Sequence, residues 1–161
     1  MSLAVIDRTA GTNIGDLTET GGLAAAFDGV TSQAAAACAT KFSESQVYIG
    51  KTLALRQRFG RAVVYGSNNV GLSSDNPSIT INARGKQGSA PANATDGTIL
   101  GTITFTDTAD ESAGRIIDST DLMTEWDHLW VEMTSGDTNW RVAELVLEHF
   151  YQGGAIVDLL I

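Results

Sequence analysis

Residues 126–133 read WDHLWVEM and residues 140–150 read WRVAELVLEHF, and these two stretches decide the fold class. Both alternate between apolar and polar residues, which is the pattern of a strand with one buried face. Apolar residues two positions apart share one face of each strand. They are Leu129, Val131 and Met133 in the first stretch, and Ala143, Leu145 and Leu147 in the second. The pattern predicts two half-buried β-strands.

The same alternation recurs upstream, in short segments separated by residues that favour turns. Further strands are predicted at Arg61–Gly66 (with Val63 and Tyr65 on one face), Ser78–Arg84, Ile99–Phe105 and, more briefly, Val47–Gly50. Helical periodicity is nearly absent, and only the alanine-rich runs Leu23–Ala26 and Gln33–Ala39 favour one or two short helical turns. Many short strands at this spacing predict an all-β protein, an antiparallel β-sandwich or barrel.

Length and charge exclude several classes of function. The chain has 161 residues, with 10 Lys and Arg against 19 Asp and Glu, which gives a formal net charge of −9. Such a chain lacks the clustered positive field that nucleic acid or an anionic membrane attracts, so neither is expected as a partner. No apolar run approaches the roughly 20 residues that span a bilayer. Cys38 is the only cysteine, which excludes an intrachain disulfide.

One domain is predicted over residues 14–150, with a short segment on either side. Residues 1–13 form an N-terminal arm, and residues 151–161 form an apolar C-terminal tail that starts near Gly153-Gly154 and continues as AIVDLLI. Exposed apolar residues of this kind favour association unless a neighbour covers them. The tail is therefore expected to contact other chains.

The order of landmarks along the chain resembles a known family. The first landmark is Ala26-Phe27-Asp28-Gly29 with Thr31. It is followed by Tyr48-Ile49-Gly50 and Val63-Val64-Tyr65-Gly66-Ser67. The last two landmarks are Asp127-His128-Leu129-Trp130-Val131 and Arg141-Val142-Ala143-Glu144-Leu145. Together they resemble the discoidin-like (coagulation factor C-type) domains of the galactose-binding jelly-roll superfamily, in particular those of bacteriophage virion and tail proteins. The resemblance covers residues 14–150 and implies a jelly-roll sandwich.

The resemblance also implies a structural calcium site. In the family, an aspartate and a threonine of one loop and a glutamate of the last strand hold the ion, and the matching residues here are Asp28, Thr31 and Glu144. Oxygen ligands on a tight glycine-containing turn suit calcium, which takes six to eight oxygens. The alternative is metal-free: Asp28 forms an Asx turn with nearby amides, and Glu144 hydrogen-bonds that loop.

A glycan site is the second implication of the resemblance. Family members that bind sugars use loops at one end of the sandwich, which correspond here to residues 66–76, 106–112 and 134–140. Asn68, Asn69 and Trp140 have suitable chemistry, two amides for hydroxyl groups and a ring for the apolar face of the sugar. The alternative for Trp140, as for Trp126 and Trp130, is packing in the core.

Catalysis is the least favoured class of function. His128 and His149 are interpreted as lone surface or edge histidines, and no catalytic triad or phosphate-binding loop occurs in the sequence. The resemblance favours a non-catalytic structural protein of a phage virion, located in the particle and in contact with other virion proteins and with copies of itself. The alternative function is a module that binds host-cell glycans. Cys38 is either a small buried residue or, if exposed, an interchain disulfide partner.

Overall fold

A computed structural model describes residues 2–75, 77–136 and 139–151. The described strands are β1 (Ser2–Val5), β2 (Thr12–Gly15), β3 (Ala39–Lys41), β4 (Gln46–Tyr65), β5 (Ser78–Lys86), β6 (Thr98–Thr106), β7 (Arg115–Asp118), β8 (Glu125–Ser135), β9 (Trp140–Val142) and β10 (Glu144–Tyr151). Two short 3₁₀ turns, Leu23–Phe27 and Ala35–Ala37, precede β3. The expected all-β class with short helical turns is confirmed. Among these residues no helix has the length and apolar character that crossing a membrane requires.

Two antiparallel layers share the long strand β4. Its first half pairs with β2 and β8, and the layer continues through β5 to β6. Its second half pairs with β7 and β10, and β10 pairs in turn with β1. The change of layer coincides with an irregular register between Thr52 and Gln57. The sequence predicts two separate strands here because the polar run Arg56-Gln57-Arg58 interrupts the alternation at the crossing.

The core lies between the layers and follows the predicted alternation. Ile49, Ile81 and Val131 of the first layer are fully buried, as are Val64 and Leu145 of the second. Val63 and Tyr65 share one face of β4 as predicted, but that face is only half-buried, and the buried face carries Ala62 and Val64. Two adjacent valines make the alternation ambiguous at that point.

A loop between β5 and β6 covers the outer side of the first layer. The indole N–H of Trp130 donates to Ala94 O at 2.8 Å, and Arg84 Nη1 donates to Gly97 O at 2.8 Å. His128 lies beneath the same loop, with Nε2 at 2.8 Å from Gly88 O, and is buried rather than a surface histidine. This coverage explains how a second row of β8 side chains becomes buried.

The first and last described strands, β1 and β10, both belong to the second layer. Residues 2–5 of the predicted arm form β1, and residues 12–15 extend the first layer as β2. Of the predicted tail, only Tyr151 falls within the described residues, as the last residue of β10. The contacts expected of residues 152–161 lie outside the described residues.

Candidate functional site

Four segments meet at one end of the sandwich: residues 28–45, 66–75, 107–114 and 139–142. We refer to them as the loop end. Backbone hydrogen bonds join them, from Asn68 N to Gln33 O (3.0 Å), from Gly66 N to Glu111 O (3.1 Å) and from Arg141 N to Leu72 O (2.9 Å). The loops predicted to form a glycan site therefore do lie side by side.

A buried carboxylate, that of Asp107, fixes the loop between β4 and β5. Its two oxygens accept hydrogen bonds from Leu72 N at 3.1 Å and from Ser73 N at 2.7 Å. Gly71 has a φ of +80°, and a Cβ there would collide with Thr108 O and the Asp107 carboxylate, so the turn requires glycine. Burial raises the pKa of Asp107 to about 6, against the lowering effect of the two N–H donors.

Glu111 and Arg115 fix the neighbouring loop. Arg115 Nε and Nη2 donate to the two Glu111 oxygens at 2.6 and 2.5 Å, which is a bidentate ion pair. The Thr108 backbone N–H and hydroxyl also donate to Glu111, and the Arg115 guanidinium lies 4.2 Å from the Phe105 ring centroid. The Asp107 and Glu111 carboxylates are thus engaged in holding the loops.

Asn68 and Asn69 are exposed, as a ligand-binding role requires. Asn68 Nδ2 donates to Ser32 Oγ at 3.3 Å, and Asn69 Oδ1 accepts from Ala35 N at 3.1 Å. These contacts orient both amides beside the second 3₁₀ turn. The structure therefore brings the two predicted amides together on the surface of the loop end.

Trp140 lies in the core and offers no ring face to a sugar. Its exposed fraction is 0%, and its indole N–H donates to Glu44 O at 2.7 Å. Trp126 and Trp130 are buried as well. The glycan-stacking role predicted for Trp140 is therefore wrong: β9 pairs with β3 and with Ser73, and the indole belongs to the hydrophobic core.

Phe42 is the aromatic residue that the sequence analysis missed. It is 37% exposed, which makes it the one exposed aromatic side chain in the part of the chain whose side chains are described. The Arg141 guanidinium lies 5.7 Å from its ring centroid. An aromatic residue isolated among polar residues, in TKFSES, is the signal that could have identified it.

The predicted calcium ligands meet at one turn, but their contacts do not suit the ion. Asp28 Oδ1 accepts from Val30 N at 2.8 Å, which is an Asx turn, and Thr31 follows it directly. Fully buried Glu144 accepts from Gly29 N at 3.0 Å through Oε2, and its Oε1 lies 2.8 Å from Arg8 Nε. An arginine cation thus stands where a metal would need to approach Glu144. Among the described residues no group of three or more acidic, histidine or cysteine side chains is arranged to hold a metal.

Electrostatics at this turn follow from burial. Burial raises the pKa of Glu144, and the Gly29 N–H and the Arg8 charge act in the opposite direction. The contacts are those of the metal-free alternative, an Asx turn bonded by a glutamate.

Lys51 and Phe27 line an open cleft of about 430 Å³ on the other side of Arg8. Lys51 is buried, donates Nζ to Arg8 O and to Asn13 Oδ1, and lies 4.8 Å from the Phe27 ring centroid. Burial lowers the pKa of Lys51. These contacts anchor residues 8–13 on β4, and they engage the ammonium group within the protein.

Cys38 is enclosed, which opposes the interchain disulfide. Its side chain is fully buried, and Sγ lies 3.5 Å from Ala34 O. Burial raises the pKa of the thiol to about 11. A thiol in this setting is protonated at neutral pH and has no route to a second chain. Cys38 is thus the small buried residue of the alternative interpretation.

Solved structures show the same fold, although no family model and no curated protein matches the chain. The family 32 carbohydrate-binding module of NanJ from C. perfringens, solved with galactose, has a TM-score of 0.64 at 9% identity and covers 92% of this chain and 100% of its own. A fucose-binding module from Streptococcus pneumoniae has a TM-score of 0.63 at 10% identity, with coverages of 91% and 96%. A fucolectin from striped bass, Morone saxatilis, has a TM-score of 0.68 at 12% identity, with coverages of 91% and 50%.

These likenesses define the class of fold. The chain has the β-sandwich fold that these solved structures share, as the resemblance to discoidin-like domains implied. At these identities the comparison concerns architecture, and function has to be argued from the residues of the site.

Proposed function

We propose that the protein is a non-catalytic carbohydrate-binding module that uses the loop end. The observation that carries this proposal is the exposed Phe42 ring beside Arg141 at the loop end, on a fold that solved carbohydrate-binding modules share. A pyranose has an apolar C–H face and an equatorial rim of hydroxyl groups. The pairing of an aromatic ring with amide and guanidinium donors matches both parts.

Each group has a distinct part in the proposed complex. The Phe42 ring takes the apolar face of the sugar, and the Arg141 guanidinium donates to hydroxyl oxygens at the ring edge. Asn68 and Asn69 provide both donors and acceptors, which hydroxyl groups require in combination. Asp107 and Glu111 keep the loops in one conformation before the sugar binds, which reduces the entropic cost of binding.

The absence of catalysis in this proposal rests on how the carboxylates are used. Hydrolysis of a glycosidic bond uses two acidic side chains that flank the bond. At the loop end, Asp107 holds the backbone of Leu72 and Ser73, and Glu111 holds Arg115. Both carboxylates are engaged within the protein, so we assign them to holding the loops and not to hydrolysis.

The test is a glycan array with the isolated chain, followed by calorimetry with the sugars that bind. Phe42→Ala is expected to weaken binding about tenfold, or about 1.4 kcal/mol, because it removes the stacking surface. Leu55→Ala is the matched control, since Leu55 is an apolar residue with 75% exposure on the irregular part of β4. Equal affinity of the Phe42→Ala variant and the wild type would contradict the site. Silence across the array would contradict the function.

A second candidate is the phage virion component implied by the sequence landmarks. The observation that favours it is β1, a four-residue strand of exposed residues that includes Leu3 and Val5 and pairs only with β10 among the described strands. Open edges of this type favour pairing with another chain. Assembly with copies of itself and with other virion proteins follows from this role. Absence of the protein from purified phage particles would argue against this role, and normal incorporation after deletion of residues 153–161 would argue against a part for the predicted tail in assembly.

A further inference from the structure

The turn at Asp28 is a place where a buried carboxylate needs a cation. Glu144 has an exposed fraction of 0%, and the Asp28 carboxylate on the adjoining turn adds further negative charge. A buried carboxylate is costly unless a positive charge or hydrogen bonds compensate it. Gly29 N supplies one hydrogen bond, to Oε2, at 3.0 Å. The remaining oxygen, Oε1, faces Arg8.

The Arg8 guanidinium lies against both Glu144 and the turn that contains Gly29. Its Nε lies 2.8 Å from Glu144 Oε1. Gly29 has a φ of +85°, and a Cβ built there would lie 3.1 Å from Arg8 Nη1, so the guanidinium rests directly on the turn. The 2.8 Å separation makes Arg8 and Glu144 an ion pair, so the positive charge of the guanidinium compensates the buried carboxylate.

The backbone around Arg8 is held in place from the opposite side. Lys51 Nζ donates to Arg8 O, and Ile6 N donates to Leu147 O at 2.8 Å. The segment between β1 and β2 thus crosses the second layer at a fixed position. Because this segment is anchored, the positive charge of Arg8 lies beside the Glu144 carboxylate, and the chain itself supplies the cation.

We propose that Arg8 is the resident cation of this turn, and that its guanidinium takes the place of a divalent metal between Glu144 and the turn at residues 28–30. A divalent ion on Glu144 would face a like charge a few ångströms away, which disfavours it. The loop end, whose first segment starts at this turn, accordingly keeps its shape without calcium. This inference does not depend on sugar binding.

The first experiment uses the wild-type chain and needs no variant. The midpoint of thermal unfolding is measured after washing with a chelator and again in millimolar calcium chloride. An ion that binds only the native state raises the midpoint by mass action. We expect the two midpoints to agree within about 1 °C. A rise of several degrees in calcium, or one calcium per chain in elemental analysis of the washed protein, would overturn the proposal.

The second experiment removes the charge. Arg8→Ala is expected to lower the midpoint by roughly 5 °C or more, because Glu144 then remains buried without its cation. Arg56→Ala is the matched control: Arg56 forms a 2.7 Å ion pair with Asp127 and is 54% exposed, so a shift within about 2 °C is expected. If Arg8→Ala lowers the midpoint of thermal unfolding by no more than Arg56→Ala does, the proposed role of Arg8 is refuted.

A double variant separates charge from packing. Adding Glu144→Gln to Arg8→Ala keeps an acceptor for Gly29 N but removes the uncompensated charge. The midpoint of thermal unfolding of the double variant should therefore be higher than that of Arg8→Ala. If the double variant is no more stable than Arg8→Ala, the loss came from packing of the arginine and the proposal fails. Should Arg8→Ala not fold, the calcium measurement on the wild type still decides the question.

Discussion

Ionisation of Asp107 should make the stability of the loop end depend on pH. Asp107 is 2% exposed, and burial raises its pKa from the model-compound value of 3.8 to about 6. A carboxyl group whose pKa is raised by folding stabilises the native state while it is protonated. Its contribution is fully present below pH 3.8 and is lost as the pH rises through about 6.

The magnitude follows from the two pKa values. Linkage between pH 4 and pH 7 gives a loss of about 2 kcal/mol from this group alone. Asp107→Asn removes the titration and leaves the other carboxyl groups in place. The free energy of unfolding of the wild type minus that of Asp107→Asn should therefore fall by about 2 kcal/mol over this range.

The assay is urea unfolding of both proteins at pH 4, 5, 6 and 7, with the two curves fitted to a common slope. Subtracting the variant cancels the titration of exposed groups such as Asp7 and Asp110, whose pKa values are lowered by local hydrogen bonds. A difference that stays flat would refute the reasoning. A difference that rises with pH would show that the hydrogen bonds from Leu72 N and Ser73 N outweigh burial.

Three further predictions concern side chains that the structure buries. Trp140→Ala should cost about 3–5 kcal/mol in urea unfolding through loss of core volume; near-wild-type stability would contradict its place in the core. Arg84 Nε lies 2.5 Å from Glu132 Oε2. Glu132→Ala should lower the free energy of unfolding by about 3–5 kcal/mol, because Arg84 then remains buried without its partner; a loss below about 1 kcal/mol would contradict this. Cys38 should react with a thiol reagent only after unfolding, and a dimer band on a non-reducing gel would contradict its burial.

The strands could be predicted because one face of each is buried. Alternation in residues 78–84 and 126–133 is enough to identify β5 and β8, and the predicted face of β8, with Leu129, Val131 and Met133, is buried. The continuous strand β4 was not predictable in the same way. Its central residues cross between the layers, so neither face is consistently buried there and the sequence shows no period.

For the candidate site at the loop end, only the location could be predicted from the sequence. Loop positions followed from strand order, and Asn68 and Asn69 are exposed as expected. Trp140 and Phe42 exchange roles because exposure depends on tertiary contacts. The tryptophan packs in the core, whereas the phenylalanine lies just beyond the end of β3. Local sequence does not reveal the burial of Trp140, although the polar residues around Phe42 favour its exposure. The approach of Arg8 to Glu144 joins residues far apart in the chain and was likewise beyond sequence reasoning.

The most direct test of carbohydrate binding at the loop end is an NMR titration of the isotope-labelled chain with a sugar selected on the glycan array. We expect the largest amide shifts to cluster around Phe42, Asn68, Asn69 and Arg141, and to require about tenfold more sugar in Phe42→Ala. Shifts centred on the loop between β5 and β6, or no shifts at saturating sugar, would contradict it.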